Sequence, residues 1–187
     1  MWPPRIDALR DGDLRLRLPE AGDVGTITRI CQDPEIQRFT RVPWPYTQQH
    51  AQHFVSLAAT ALESGEGVHL VAVAPHDGTL LGAIGLVVDG AELSGDLGYW
   101  VAPEARGRGV ATRGGRLLCR LAFEELDLGY VGLMAAASNA ASNAVARRLG
   151  FTLEGTRRRA MIEGPSGDRT APRCDGNIWG LLPGELR

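Results

Sequence analysis

The run Gly98-Tyr-Trp-Val-Ala-Pro-Glu-Ala-Arg-Gly-Arg-Gly-Val-Ala-Thr112 constrains this chain more than any other stretch. An aromatic, β-prone segment stops at Pro103. A glycine-arginine turn follows and opens directly onto residues with helical periodicity. Gly107 and Gly109 carry no side chain, so backbone N–H groups can approach an anion closely there. The first N–H groups of the following helix have no intrahelical partner and point to the same place, and Arg106 and Arg108 add positive charge. A strand-turn-helix junction of this kind can hold a diphosphate, or can simply join strand to helix by a tight turn. It also commits the chain to a mixed α/β fold in which a strand feeds a helix across a phosphate-sized gap.

The remaining pattern fits a single domain spanning residues 1–187. Residues 14–18 alternate as a half-exposed strand, and residues 20–33 read as a helix ending before Pro34. Thr47 is placed to cap a helix whose apolar positions Ala51, Phe54, Val55, Ala58 and Leu62 share one face, with Gly65 just beyond its end. Residues 68–74 and 80–88 flank the turn at Pro75-His-Asp-Gly78 as a hairpin, and residues 93–101 continue it as an antiparallel meander. After the glycine turn, Val110, Gly114, Leu117, Leu118, Leu121 and Ala122 recur at helical spacing. A buried strand over 130–136, a short helix over 140–149 closed by Gly150, and strands over 151–162 and 173–182 complete the reading. Residues 164–172 are polar and turn-rich, as expected of a mobile loop.

Composition excludes several classes of function. The formal charge is -2, from 20 basic and 22 acidic residues, which offers no whole-protein attraction to nucleic acid or to an acidic membrane. Cys31, Cys119 and Cys174 are odd in number and lack a paired short spacing, so neither a disulfide framework nor a structural metal site is expected. A reducing, cytoplasmic setting fits those thiols, and no stretch approaches the roughly 20 apolar residues of a membrane span. The glycine turn lacks the third glycine of a dinucleotide fingerprint, since Thr112 stands there, and no Gly-Lys-Ser/Thr sequence makes a nucleotide P-loop. His50 and His53 lack the spacing of a zinc-protease helix and read as surface residues. Arg157-Arg-Arg159 reads as a solvated strand face.

Two segments in order carry a resemblance. Arg106-Gly-Arg-Gly109-Val-Ala111 resembles the Arg/Gln-x-x-Gly-x-Gly/Ala signature of the GNAT superfamily of N-acetyltransferases. Downstream, Asn139-Ala-Ala-Ser142, followed by Leu149-Gly-Phe151, is similar to that superfamily's Asn-x-x-Ser segment. Gly98-Tyr-Trp-Val-Ala-Pro-Glu104 and Phe151-Thr-Leu-Glu-Gly155 further resemble the branch of ribosomal-protein N-terminal acetyltransferases (RimJ/RimL-like). The resemblance covers nearly the whole chain.

It implies the GNAT acyl-CoA N-acyltransferase fold: a central, mostly antiparallel sheet of six to seven strands, splayed in the middle and flanked by about four helices. It implies acetyl-CoA as cofactor, without a metal, bound by Trp100, Val101, Arg106, Gly107, Arg108, Gly109, Val110, Ala111, Thr112, Asn139 and Ser142. A Val101 N–H would polarise the thioester carbonyl, and Ser142 would donate a proton to the departing thiolate. Asp96 and Glu163 are candidates for the base, with strand register deciding which faces the cleft. Met161 falls where the closest relatives would carry an acidic residue, so a dedicated side-chain base is in question. Trp44 and Tyr46, in a loop stiffened by Pro43 and Pro45, would border the acceptor groove or plug the space between two helices. The implied acceptor is a primary amine, first a protein N-terminus and second a small amine. A non-catalytic acyl-CoA sensor is the third reading. Relatives that pair through late strands make residues 173–182 a candidate homodimer surface.

Overall fold

The computed structural model describes residues 2–187 and contains one eight-stranded sheet in the order β1-β2-β3-β4-β5-β6-β8-β7. Its strands are β1 (Arg10–Asp11), β2 (Leu14–Arg17), β3 (Gly67–Val73), β4 (Leu80–Asp89), β5 (Ser94–Val101), β6 (Tyr130–Ala136), β7 (Thr152–Ile162) and β8 (Arg173–Leu181). Five α-helices flank it: α1 (Val24–Ile30), α2 (Pro34–Phe39), α3 (Gln48–Ser64), α4 (Val110–Glu124) and α5 (Ala140–Leu149). Every strand pair is antiparallel except β5–β6.

Two elements were not expected. The two-residue β1 is too short to show a period of two. The single helix over 20–33 is instead a 3-10 turn, Ala21–Asp23, running into α1, after which Pro34 starts α2 rather than ending a helix. The reason is local: the Asp33 carboxylate accepts the N–H groups of Glu35 and Ile36, and proline at the first helical position gives up only an N–H that has no helical partner. α3 begins as expected at Thr47, whose hydroxyl accepts the His50 N–H while His50 Nδ1 accepts the Thr47 N–H. Cys31, Cys119 and Cys174 are free thiols. No helix among the described residues is long and apolar enough to cross a membrane.

α4 lies against one face of the sheet with Val110, Leu117, Leu118, Leu121 and Ala122 buried. Its glycines let it sit close. A Cβ on Gly114 would stand 1.9 Å from Ile84 Cδ1, and one on Gly115 would stand 2.9 Å from Leu149 Cδ1. The apolar face of α4 therefore touches β4 and α5 together, which fixes the start of α4, and with it the glycine turn, relative to the end of β5. α3 packs on the other face against β3.

The sheet is interrupted at one place. β5 and β6 pair only through Ser94↔Tyr130, Gly95↔Val131 and Asp96↔Gly132. Beyond them, β5 stays on β4 through Val101 while β6 stays on β8 through Ala136. The two strands diverge into a V.

Replacing Gly114 with Val forces branched carbon into the buried Ile84 contact. The expected loss is about 1–3 kcal/mol, the usual range for overpacking, read as a lower urea midpoint with an unchanged slope.

Candidate acyl-transfer site

The V leaves one edge of β5 without a strand partner. The Ala102 N–H bonds to the Leu81 carbonyl at 2.9 Å on the β4 side. Backbone donors alternate along a strand, so the N–H groups of Val101 and Tyr99 point the opposite way, into the opening. Two donors therefore face a gap that the fold itself does not fill.

Two cavities meet there, of about 620 Å³ and about 640 Å³. They share Phe39, Thr40, Tyr99, Trp100, Asn139 and Ser142. The first runs from that junction to the glycine turn and is lined by Val101, Arg106, Gly107, Gly109, Val110, Ala111 and Thr112, with Arg113 and Arg148 adding charge. Gly107 and Gly109 have φ of 74° and 75°, a region that any L side chain enters at a cost. Gly109 precedes α4 with no side-chain cap, and the first intrahelical bond is Arg113 N–H to Gly109 C=O at 2.9 Å. The N–H groups of Val110, Ala111 and Thr112 thus lie ahead of the helical ladder, where the helix dipole favours an anion. Such a turn, with an unpaired strand edge leading from it, suits an extended, amide-rich arm ending in a diphosphate. Arg108 lines neither cavity.

α2 closes over this region. Asp33, its cap, forms an ion pair with Arg106 of the glycine turn, and that guanidinium holds the Asp33 carboxyl below the usual range against the opposing effect of burial. Arg38 at its other end pairs with Glu163 at the tip of the β7–β8 hairpin, and the Gly164 N–H donates to the Arg38 carbonyl at 3.2 Å. α2 is therefore tied to both arms of the V. Sequence reasoning missed it, although Asp33-Pro34 carried its start signal.

At the junction, the Tyr99 hydroxyl lies 2.8 Å from Ser142 Oγ, and burial pushes the tyrosine up to about 12. Tyr99 stays protonated through the neutral range and remains a hydrogen-bond partner for the serine. Tyr99 was not singled out from the sequence, because an aromatic in a strand reads first as core.

Asn139 caps α5, its Oδ1 accepting the Ser142 N–H at 3.0 Å, which leaves its amide NH2 for another partner. Behind it sits Asn143, only 4% exposed. Its Nδ2 donates to the carbonyls of Ala136 and Asn139, and its Oδ1 accepts from Asn177 Nδ2 at 2.8 Å and Trp179 Nε1 at 3.0 Å. This asparagine locks the β6–α5 corner to β8, and so places Asn139 and Ser142. Nothing in its sequence neighbourhood marks it beyond its place in the matching segment.

The two base candidates part company. Asp96 lines the second cavity, level with Val87 and Gly132. Glu163 lines neither cavity. Its carboxylate accepts from Ser138 Oγ at 2.7 Å and pairs with Arg38, and both interactions hold it below the usual range. It acts as a strut joining the β6–α5 corner to α2. Trp44 is 54% exposed and lines neither cavity. Tyr46 is buried and fills core space beside His50 while forming part of the second cavity's wall. His50 and His53, expected on the surface, both line that cavity, as do His69 of β3 and Met161, which rests on Gly176.

The acetyltransferase (GNAT) domain family matches residues 13–152. The chain belongs to this family. It is 43% identical over 84 residues to a Bacillus subtilis (strain 168) protein named "putative ribosomal N-acetyltransferase YdaF", an alignment covering 44% of the chain and 46% of that relative, so the match spans about half the relative's length. A solved "probable acetyltransferase" superposes with a TM-score of 0.80 at 26% identity, covering 92% of this chain and 94% of that one. RimL, a ribosomal L7/L12 alpha-N-protein acetyltransferase solved with coenzyme A, superposes at 0.83 with 20% identity over 95% and 98% of the two chains. That likeness is one of fold.

Replacing Asn143 with Ala leaves the buried Trp179 Nε1 and the half-buried Asn177 Nδ2 without their acceptor, whereas the Ala136 and Asn139 carbonyls keep backbone N–H partners. The expected cost is about 2–4 kcal/mol, measurable by urea unfolding.

Proposed function

We propose that this protein transfers an acetyl group from acetyl-CoA to a primary amine by direct attack, with the α-amine of a protein chain as the preferred acceptor. The observation that carries this reading is the pair of cavities meeting at Tyr99 and Ser142, one ending at an anion-binding helix start and the other open on the far side of the V. A donor laid along the first cavity would place its diphosphate at Arg106–Thr112 and its amide arm against the free edge of β5. Its acyl carbonyl would then lie near the Val101 N–H. That N–H is fixed by the sheet before the substrate arrives, so stabilising negative charge on the carbonyl oxygen requires no reorganisation. Ser142, held by Tyr99, would supply the proton that the sulfur takes as the carbon–sulfur bond breaks.

The α-amine preference rests on similarity to the ribosomal N-acetyltransferases and on acidity. An α-amine with a pKa near 7.8 is roughly a quarter neutral at pH 7.4, whereas a lysine side chain is about one part in a thousand neutral. Arg41 is the one basic side chain other than histidine that lines the second cavity, and the Asp96 carboxylate on its wall attracts an incoming amine.

Acetyl-CoA at a hundred times its dissociation constant should stabilise the fold by about 2.7 kcal/mol, seen as a raised melting temperature. An unchanged melting temperature would defeat the cofactor assignment. With peptides, small amines and lysine peptides offered in parallel, CoA thiol release should appear first with free peptide N-termini. Ser142→Ala should lower kcat about a hundredfold while leaving acetyl-CoA affinity nearly unchanged; equal losses in both would make Ser142 a binding residue.

A further inference from the structure

Neither Asp96 nor Glu163 accounts well for the proton that an attacking amine must lose, and the opposite wall of the second cavity holds a group that does. His69 stands on β3, in register with Gly85 of β4, which is itself in register with Gly98 of β5. Its ring lies flat on the sheet. A Cβ on Gly85 would stand 2.6 Å from His69 Nδ1, and a Cβ on Gly67 would stand 3.1 Å from Nε2. Glycine at 85 leaves room for Nδ1 above β4, while Nε2 lies back over Gly67 of β3 itself. Gly98, the next residue in that row, has no atom within 4 Å of where its Cβ would be. The row His69–Gly85–Gly98 is thus a side-chain-free corridor ending at the V. Adjacent strands are about 4.8 Å apart, so Nδ1, already over Gly85, is about one strand from Gly98, and Val101 lies about 10 Å further along β5, a distance that a short chain of waters spans.

We propose that His69 is the proton acceptor for the acceptor amine, reached through a chain of waters along the Gly85–Gly98 corridor and the adjoining edge of β5. The inference rests on the acetyl-transfer reading above. As the carbon–nitrogen bond forms, the nitrogen becomes acidic and its proton passes to the imidazole. The carbon–sulfur bond breaks with its electron pair on sulfur, which is protonated to the thiol, and His69 returns its proton to solvent. Burial lowers the His69 pKa below its ordinary value with no charged partner contributing, so the ring is neutral at pH 7. Among the described residues none bonds to its nitrogens, whereas His50 Nδ1 is committed to the α3 cap. The other titratable or charged groups on this cavity are Arg41 and Tyr46 from the loop before α3, His50 and His53 from α3, and Asp96 and Tyr99 from β5.

The test uses the full chain. In the native protein, kcat/KM for a peptide N-terminus should fall as the α-amine itself protonates and fall more steeply below the lowered His69 pKa, because protonation there removes the acceptor as well. His69→Gln should reduce kcat by at least about tenfold and abolish the added steepness while keeping the limb that belongs to the amine, with acetyl-CoA stabilisation intact as the control for folding. His69→Ala should regain rate on adding imidazole. Gly98→Val, where space is open, should fold normally, bind acetyl-CoA and lose acceptor turnover. Independently of activity, the His69 ring signals in an NMR titration should titrate below the ordinary histidine value and shift when an acetylated peptide product is added. Native-like turnover and pH profile in His69→Gln, or ring signals indifferent to product, would overturn the role of His69 and leave acetyl transfer standing. Absence of turnover with every amine in the native protein would overturn both.

Discussion

The divergence of β5 from β6 beyond the Asp96↔Gly132 pair is the constraint on which the rest of the structure depends. A parallel pair that ran the full length of both strands would consume the Val101 and Tyr99 N–H groups and leave no gap between the sheet's two halves. Ending after three residue pairs, it converts a strand edge into a row of donors. An exposed edge is ordinarily a liability; here it is half-buried and lines two cavities flanked by α2 and the β6–α5 corner.

Holding the V open requires rigidity on both arms. On one arm, α4 is pressed onto β4 through Gly114 and against α5 and β5 through Gly115, so the glycine turn cannot drift from the end of β5. On the other, Asn143 ties the β6–α5 corner to Trp179 and Asn177 on β8. The ion pairs from α2, Asp33 to Arg106 and Arg38 to Glu163, cross the opening itself. Such exposed pairs contribute little to stability. Their position lets a diphosphate compete with Asp33 for Arg106, so the α2 contact is one that cofactor binding would alter.

The sequence carried the long elements and the anion cradle because these rest on local physics. Residues 98–112 contain their own strand, stop, glycines and helix start, and the periodicity of α4 named the side chains that are buried. α2 was hidden because proline also reads as a helix terminator, and β1 because two residues show no period. Asp96 and Glu163 could not be separated from sequence, since both lie on or beside strands with no local signal of facing. The structure sends one into a cavity and ties the other to an arginine 125 residues away in the chain. Tyr99, Asn143 and His69 looked like core or strand residues for the same reason: each acquires its role from a partner on another element.

The chain's order of residues determined, by itself, that a strand runs through a glycine turn into a helix, that an Asn-x-x-Ser segment follows it, and that the two belong to an acetyltransferase domain. Backbone conformation and helix starts are set by neighbours a few residues away, so these features survive reading in one dimension. Only the tertiary structure decided that β5 and β6 part after three pairs, that Ser142 meets Tyr99, and that His69 faces the V across Gly85 and Gly98. Those are contacts between segments distant in sequence, and they exist only once packing has chosen the register.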